Sequence, residues 1–334
     1  MVHLGAREND SEVSGMRGRF PFSLFRISLA LFILTGGAVL FFIVWAGVQI
    51  AQHSREPIER FFEGSSTKQK RPIVLVHGLN RSGRMWVVPD DGHGNLLPGA
   101  LSMVEFLRAN GYPNIYLNTL PDTRNTSLLE NARTLKGWIE QVKKRYRTER
   151  VDLLTHSLGA LVARAYLQEL DRKDGNPTGP VSYGQDVARL IMISAPHLGS
   201  PLADSVPPFL NWYARRTLRE GGGTDLQRLN ARPLPCGAEY HSILVSADNR
   251  ERSRGWSFWR VMRVLLASAR PEDGDGTLSL RSQNLTEAIG SGNHPCLMHL
   301  AHPVQVEGGI GHRDAPMSRT VQQTIIRILD AKDQ

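Results

Sequence analysis

Cysteine is nearly absent from this 334-residue chain, which holds two, Cys236 and Cys296. A fold built on a disulfide framework is therefore excluded. Zinc-finger spacing, a basic helix carrying base-reading residues and an RNA-binding signature are also missing. The formal charge of +8 is thus not a pointer to nucleic acid, and it fits anionic lipid headgroups or a solvated surface instead. No internal repeat and no low-complexity tract interrupts the chain, and its 41% hydrophobic and 22% charged residues are ordinary for a globular protein.

Charge is absent from one long stretch, ISLALFILTGGAVLFFIVWAGVQI, from Ile27 to Ile50. Crossing the hydrocarbon core takes about 20 apolar residues, so this stretch is expected to form a transmembrane signal anchor behind a polar tail, residues 1–26. A cleaved signal peptide is the alternative, with Val44-Trp45-Ala46 as a small-residue site, but the apolar run exceeds the usual length of such a core. Arg17, Arg19 and Arg26 precede the segment, and Arg55, Arg60, Lys68, Lys70 and Arg71 follow it. Charge counting alone does not orient it. Its place ahead of a large soluble region favours a catalytic domain on the exported side. There Cys236 and Cys296 would form one disulfide; in a cytosol they would be two small buried thiols.

Residues 51–70 are charged, bear Ser and Thr, show no periodicity and read as a linker. From residue 71 to the end the pattern alternates. Pro72 to Val76 is an apolar run expected as a buried strand, and a helix is expected from Ala100 to Ala109, stopped by Asn110-Gly111. Asn114 to Leu117 is the next strand. Ser127 with Glu130 makes a capping box for a helix to about Tyr146, with Leu128, Ala132, Leu135, Ile139 and Val142 on one face. Val151 to Leu154 is a strand and Leu158 to Leu170 a helix. Further strands are expected over 188–194, 241–246 and 303–306, and a last helix over 317–329. Strands alternating with helices imply a mainly parallel sheet covered on both faces, an α/β fold.

Within that pattern, Thr155-His156-Ser157-Leu158-Gly159 puts a serine where an apolar strand turns directly into a helix. Such a turn pushes the serine out above the sheet edge and aims helix N-terminal amides at it. The usual motif is Gly-x-Ser-x-Gly, and Thr155 replaces the first glycine. The plain alternative for Ser157 is a helix N-cap. An ester carbonyl attacked by serine becomes an oxyanion, which needs backbone N–H donors. Leu158, next to the serine, and Leu79, in the His77-Gly78-Leu79 loop after the first strand, are the candidates. His77 reads as structural in that loop.

Serine needs a positioned imidazole to take its proton. His312, between the last strand and the last helix and flanked by glycines, belongs to the same sheet edge as Ser157. His294, His299 and His302 precede that strand and are expected at its opposite end. His156 adjoins Ser157, but adjacent side chains on an elbow diverge. The acid that orients the imidazole is expected in the glycine-flanked turn Glu272 to Leu278, with Asp275 as first choice and Asp273 as the alternative.

The segments HGL, THSLG, SAPHLGSPLA, EYHSIL, GDGTLSL and GGIGHRDAP together resemble the α/β-hydrolase superfamily. Within it the chain is similar to bacterial triacylglycerol lipases and to esterases of the GPI-inositol-deacylase-like group. The resemblance runs from about Arg71 to the end. It implies an α/β-hydrolase fold with a cap, a Ser157–Asp275–His312 triad, an oxyanion hole from Leu79 and Leu158, and an acyl pocket lined by residues 194–200. No cofactor is implied. Some related lipases hold a structural calcium through an aspartate just after the catalytic histidine. Asp314 has that position, and no partner for it is assigned. Two segments, 207–213 and 254–266, are candidate cap helices that contact lipid or pack on the domain. The expected function is a serine hydrolase of carboxylic, lipid-acyl esters. The rivals are an acyltransferase with the same triad and a non-catalytic hydrolase-fold protein binding a lipid or partner.

Overall fold

The computed structural model describes residues 57–64, 70–90, 96–97, 99–170, 181–204, 213–219, 223–247, 273–290, 301–308 and 310–331. The apolar segment 27–50, the tail before it, Cys296, and the cap candidates 207–212 and 254–266 lie outside these residues. Among the described residues no helix is long and apolar enough to cross a membrane.

Among the described residues, seven strands form one sheet. They are β1 (Arg60–Phe62), β2 (Ile73–Val76), β3 (Ile115–Leu117), β4 (Val151–His156), β5 (Val187–Ile193), β6 (Glu239–Val245) and β7 (Ala301–Val306). Their spatial order is β1-β3-β2-β4-β5-β6-β7. All neighbours run parallel except β1, which pairs antiparallel with β3. β1 falls inside the stretch 51–70 that reads as a linker, and this corrects that reading. A three-residue edge strand has no room for periodicity, and its pairing comes from β3. The ring of Phe61 lies 4.4 Å from that of Tyr116, and Tyr146 Oη donates to the carbonyl of Phe62 at 2.9 Å.

Alternate residues of the central strands point to opposite faces. Val74 and Val76 of β2 and Leu153 of β4 join one core, whereas Ile73, Leu75 and Leu154 join the other. Helix α1 (Met103–Ala109) and the last helix, residues 319–330, cover the second face. Helices α2 (Leu128–Tyr146) and α3 (Leu158–Leu167) cover the first. Because both faces are covered, β2 (IVLV) and β3 (IYL) are apolar and buried throughout instead of alternating.

The local signals hold where they were strongest. Ser127 and Glu130 form the expected reciprocal cap at the start of α2, and Leu128, Ala132, Leu135, Ile139 and Val142 are all buried. A second such box, Ser102 with Glu105, starts α1. Short helices α4 (Pro201–Asp204), α5 (Tyr213–Leu218), α6 (Thr224–Ala231), α7 (Leu280–Gln283) and α8 (Leu285–Ile289) precede the C-terminal α9 (Arg319–Asp330).

The strand order decides where a site can form. The chain leaves β2 towards β3 on one side, then returns to lay β4 on the other side of β2. A parallel sheet opens a crevice beyond its strand ends at such a reversal. β2 runs out into His77-Gly78-Leu79 and β4 into Ser157, so both loops border that crevice.

Candidate active site

Ser157 has φ 54° and ψ −125°, a region that costs a non-glycine residue roughly 1–3 kcal/mol. Surrounding contacts hold it there. Its N–H donates to the carbonyl of Ile193 at 3.0 Å, which ties the turn to β5. It offers no N-cap hydrogen bond to α3, so the capping alternative is not realised. Behind it, α3 packs so close to β2 that a Cβ on Gly159 would lie 2.6 Å from the Val76 oxygen and 2.7 Å from the His77 oxygen. Glycine is required there by a close approach of backbones. Thr155, in place of the usual glycine, is fully buried and its Oγ1 donates to the Ile191 carbonyl at 3.1 Å. The extra side chain is thus absorbed by a bond to the neighbouring strand.

His312 reaches the serine from the loop after β7. Its Nε2 lies 2.9 Å from Ser157 Oγ, and its Nδ1 lies 2.6 Å from Asp275 Oδ2. Asp275 belongs to a turn in which Gly274 and Gly276 take φ 87° and 81°. A Cβ on Gly274 would sit 2.0 Å from the Leu278 oxygen. The other carboxylate oxygen, Oδ1, accepts from the N–H groups of Thr277 at 2.9 Å and Leu278 at 2.8 Å. Both carboxylate oxygens are therefore engaged, and the acid cannot swing away from the ring. The turn is fastened to β6 by Ala247 N–H to the Gly274 carbonyl at 2.7 Å, and to the histidine loop by His312 N–H to the Asp275 carbonyl at 3.2 Å.

The structure brings together three residues that are 155 and 37 positions apart in pairs. Asp273, the alternative acid, is exposed. His302 lies near the start of β7, paired with His241, and His294 and His299 lie outside the described residues.

The carboxylate of Asp275 accepts the Nδ1 proton, which leaves Nε2 of His312 with a lone pair for the serine hydroxyl. Leu79 and Leu158 flank the serine. Leu158 opens α3, where the first backbone N–H groups have no partner inside the helix. Among the described residues no hydrogen bond uses the N–H of either leucine. Gly78 lets the Leu79 loop approach the serine, since a Cβ there would be 2.9 Å from the Ser157 Cβ.

His77 is fully buried and does not serve the serine. Its Nε2 accepts from the Leu120 N–H at 2.8 Å, so Nδ1 donates to the Gly78 carbonyl at 2.9 Å. Burial pushes its pKa down to about 4, with the charge of Arg81 adding to the effect. A neutral ring thus clamps the Gly78–Leu79 loop to the 119–120 segment.

Two participants escaped the sequence. Arg164 is fully buried in α3, donating to Gln168 Oε1 at 3.0 Å, His197 Nδ1 at 3.1 Å, Asn230 Oδ1 at 3.0 Å and the Leu229 carbonyl at 3.0 Å. Burial lowers its pKa to about 9, so it stays charged. The signal was available: it is the lone charge in the otherwise apolar run LGALVARAYL. His197 is buried in the 194–200 loop and held neutral, its pKa pushed well down by burial and by Arg164. The other is the bond from His156 to the His312 carbonyl, 2.9 Å, which no sequence spacing announces.

Among the described residues no group of three or more His, Cys, Asp or Glu side chains is disposed to hold a metal ion, and none surrounds Asp314. Cys236 is disulfide-bonded.

The solved structures this chain resembles share its fold. The mature form of the lipase BlEst2 from Bacillus licheniformis is 18% identical, with 82% of this chain and 98% of that chain covered and a TM-score of 0.57. Its propeptide form is 17% identical over 83% of this chain, with 54% of that longer chain covered and a TM-score of 0.56. EstA from Clostridium botulinum is 15% identical, over 81% and 90%, with a TM-score of 0.50. Among curated proteins none matches the sequence. The sequence profile of the Alpha/beta hydrolase family matches residues 73–326, and the chain belongs to that family.

Proposed function

We propose that this protein is a serine hydrolase that cleaves carboxylic esters through an acyl-enzyme. The observation that carries the proposal is the continuous relay from Asp275 Oδ2 through His312 to Ser157 Oγ, at 2.6 and 2.9 Å. In the first half-reaction Ser157 Oγ bonds to the ester carbonyl carbon while its proton passes to His312 Nε2. The carbonyl π-electrons move onto oxygen, and the N–H groups of Leu79 and Leu158 are the donors for that oxyanion. Collapse breaks the bond to the alcohol oxygen, which leaves with the proton held by His312. Water then repeats the sequence on the acyl-serine and releases the acid. Asp275 orients the ring and stabilises its charged form without itself taking the proton.

The fold neighbours include proteins named as lipases, and this supports a lipid-acyl ester as substrate. The apolar segment 27–50 with Arg17, Arg19 and Arg26 before it supports anchoring in a membrane, which raises the effective concentration of such substrates at the site. A bonded Cys236 supports an oxidising, exported setting for residues 71–334. The test is a series of p-nitrophenyl esters of increasing chain length, run with a fluorophosphonate probe and with Ser157→Ala. The expected result is probe attachment at Ser157, turnover that depends on chain length, and loss of both in the variant. Normal turnover by Ser157→Ala would remove the nucleophile assignment, and an unlabelled, inactive wild type would remove the enzyme.

A further inference from the structure

His156 adjoins Ser157 and touches the backbone of His312, yet takes no part in the chemistry just described. It is 3% exposed, and its ring lies 4.9 Å from that of His312, inclined at 43°. Its Nε2 lies 2.9 Å from the backbone carbonyl oxygen of His312. A carbonyl only accepts, so Nε2 carries the proton. Nδ1 then bears the lone pair and faces Gly78, where an added Cβ would lie 3.2 Å away.

The loop that carries His312 has reason to need such a tie. Gly308 takes φ 137°, and Gly311 immediately precedes the histidine, so the backbone there has little intrinsic stiffness. Two backbone bonds fasten it to the acid turn and to the end of β6, His312 N–H to the Asp275 carbonyl and Ile310 N–H to the Ser246 carbonyl at 3.3 Å. Neither reaches the strand that bears the nucleophile. His156 is the last residue of β4, one position before Ser157, and its ring bridges from that strand to the His312 backbone.

We propose that His156 is a positioning residue: its Nε2–H bond to the His312 carbonyl locks the base-bearing loop onto the nucleophile elbow and keeps His312 Nε2 within reach of Ser157 Oγ. This rests on the triad reading above. Reacting atoms must be held to within a fraction of an ångström, and a misplacement of about 1 Å costs on the order of 100-fold. A histidine suits the task because it stays uncharged beside a base that becomes a cation. Burial is the main cause that keeps its proton affinity well below that of ordinary imidazole, and positive charge on His312 and on Arg81 acts in the same direction.

The experiment compares His156→Gln, His156→Asn and His156→Phe in the full chain, with p-nitrophenyl butyrate turnover, the rate of fluorophosphonate labelling and thermal unfolding. Glutamine sets its amide nitrogen about where the imidazole Nε2 stands. Asparagine sets it at the Nδ1 position, and phenylalanine keeps the ring without a donor. The expected result is a kcat loss of about 10- to 100-fold for Asn and Phe with KM changed less than about twofold, slower labelling in parallel, and recovery to within about threefold in Gln. A purely structural role would move the unfolding midpoint without that split or that rescue. If one of Asn and Phe fails to fold, the other is compared with Gln. Wild-type kcat and labelling in Asn or Phe, or a Gln variant as slow as they are, would overturn the proposal while leaving the triad standing. A wild type that neither labels nor turns over would instead defeat the triad reading itself.

Discussion

Arg164 and His197 meet at 3.1 Å, a buried guanidinium donating to a buried neutral imidazole. The other acceptors around the guanidinium, Gln168, Asn230 and the Leu229 carbonyl, are also neutral. The cation joins α3, which begins right after Ser157, to α6 and to the 194–200 loop. Arg164→Leu is expected to lower stability by roughly 2–4 kcal/mol, because it orphans several buried acceptors at once. Urea unfolding measures this. A loss below about 1 kcal/mol would mean that the network is dispensable.

The elbow offers a sharper contrast between two glycines. Gly159→Ala has no room against the Val76 and His77 oxygens and must push α3 away from β2, carrying Ser157 with it. A stability loss of about 1–3 kcal/mol and a fall in kcat are expected. Gly137, in the middle of α2, has nothing within 4 Å of an added Cβ. Gly137→Ala is expected to stabilise by about 0.5–1 kcal/mol with turnover unchanged. Equal effects from the two substitutions would contradict the close approach at Gly159.

Replacing Asp275 with asparagine tests the direction of the relay. The Thr277 and Leu278 N–H groups require an acceptor at Oδ1, so the asparagine oxygen is expected on that side. Its NH2 would then face His312 Nδ1, forcing that nitrogen to accept and moving the ring proton to Nε2. The ring can no longer take the proton of Ser157. A kcat loss on the order of 10³- to 10⁴-fold with the fold retained is expected. Steady-state kinetics with a thermal-unfolding control decide it, and a loss of only a few-fold would show that the tautomer is not set by Asp275.

Three buried histidines make the fold sensitive to acid. His77 is pushed down to about 4, and His156 and His197 lie well below the ordinary value, chiefly through burial. Between pH 6.5 and 4 the unfolded chain binds protons at these rings that the folded chain refuses. Stability is therefore full above about pH 6.5 and declines as pH falls. Each such ring contributes a slope of up to about 1.4 kcal/mol per pH unit. Urea unfolding at pH 7 and pH 5 is expected to differ by several kcal/mol. A flat profile would mean that the rings titrate normally.

What the sequence determined by itself is what neighbouring residues can specify. The capping box at Ser127 and Glu130 is local chemistry, and so is the apolar periodicity of α2. Ser157 between an apolar strand and a helix was legible because the elbow is made by consecutive residues. His312 could be ranked because its place between the last strand and the last helix puts it at the sheet edge of Ser157, and Asp275 because a glycine-flanked turn presents a side chain. Contacts that no spacing encodes were decided by the tertiary structure. β1 exists because β3 offers an edge. Thr155 fits its tight turn because β5 presents the Ile191 carbonyl. Arg164 is tolerated inside an apolar helix because α6 and His197 bring acceptors to it, and His156, set aside as diverging from the serine, turns towards the backbone of His312. Each of these pairings satisfies a buried donor or covers an apolar face across distant segments, and only folding brings the two partners within reach.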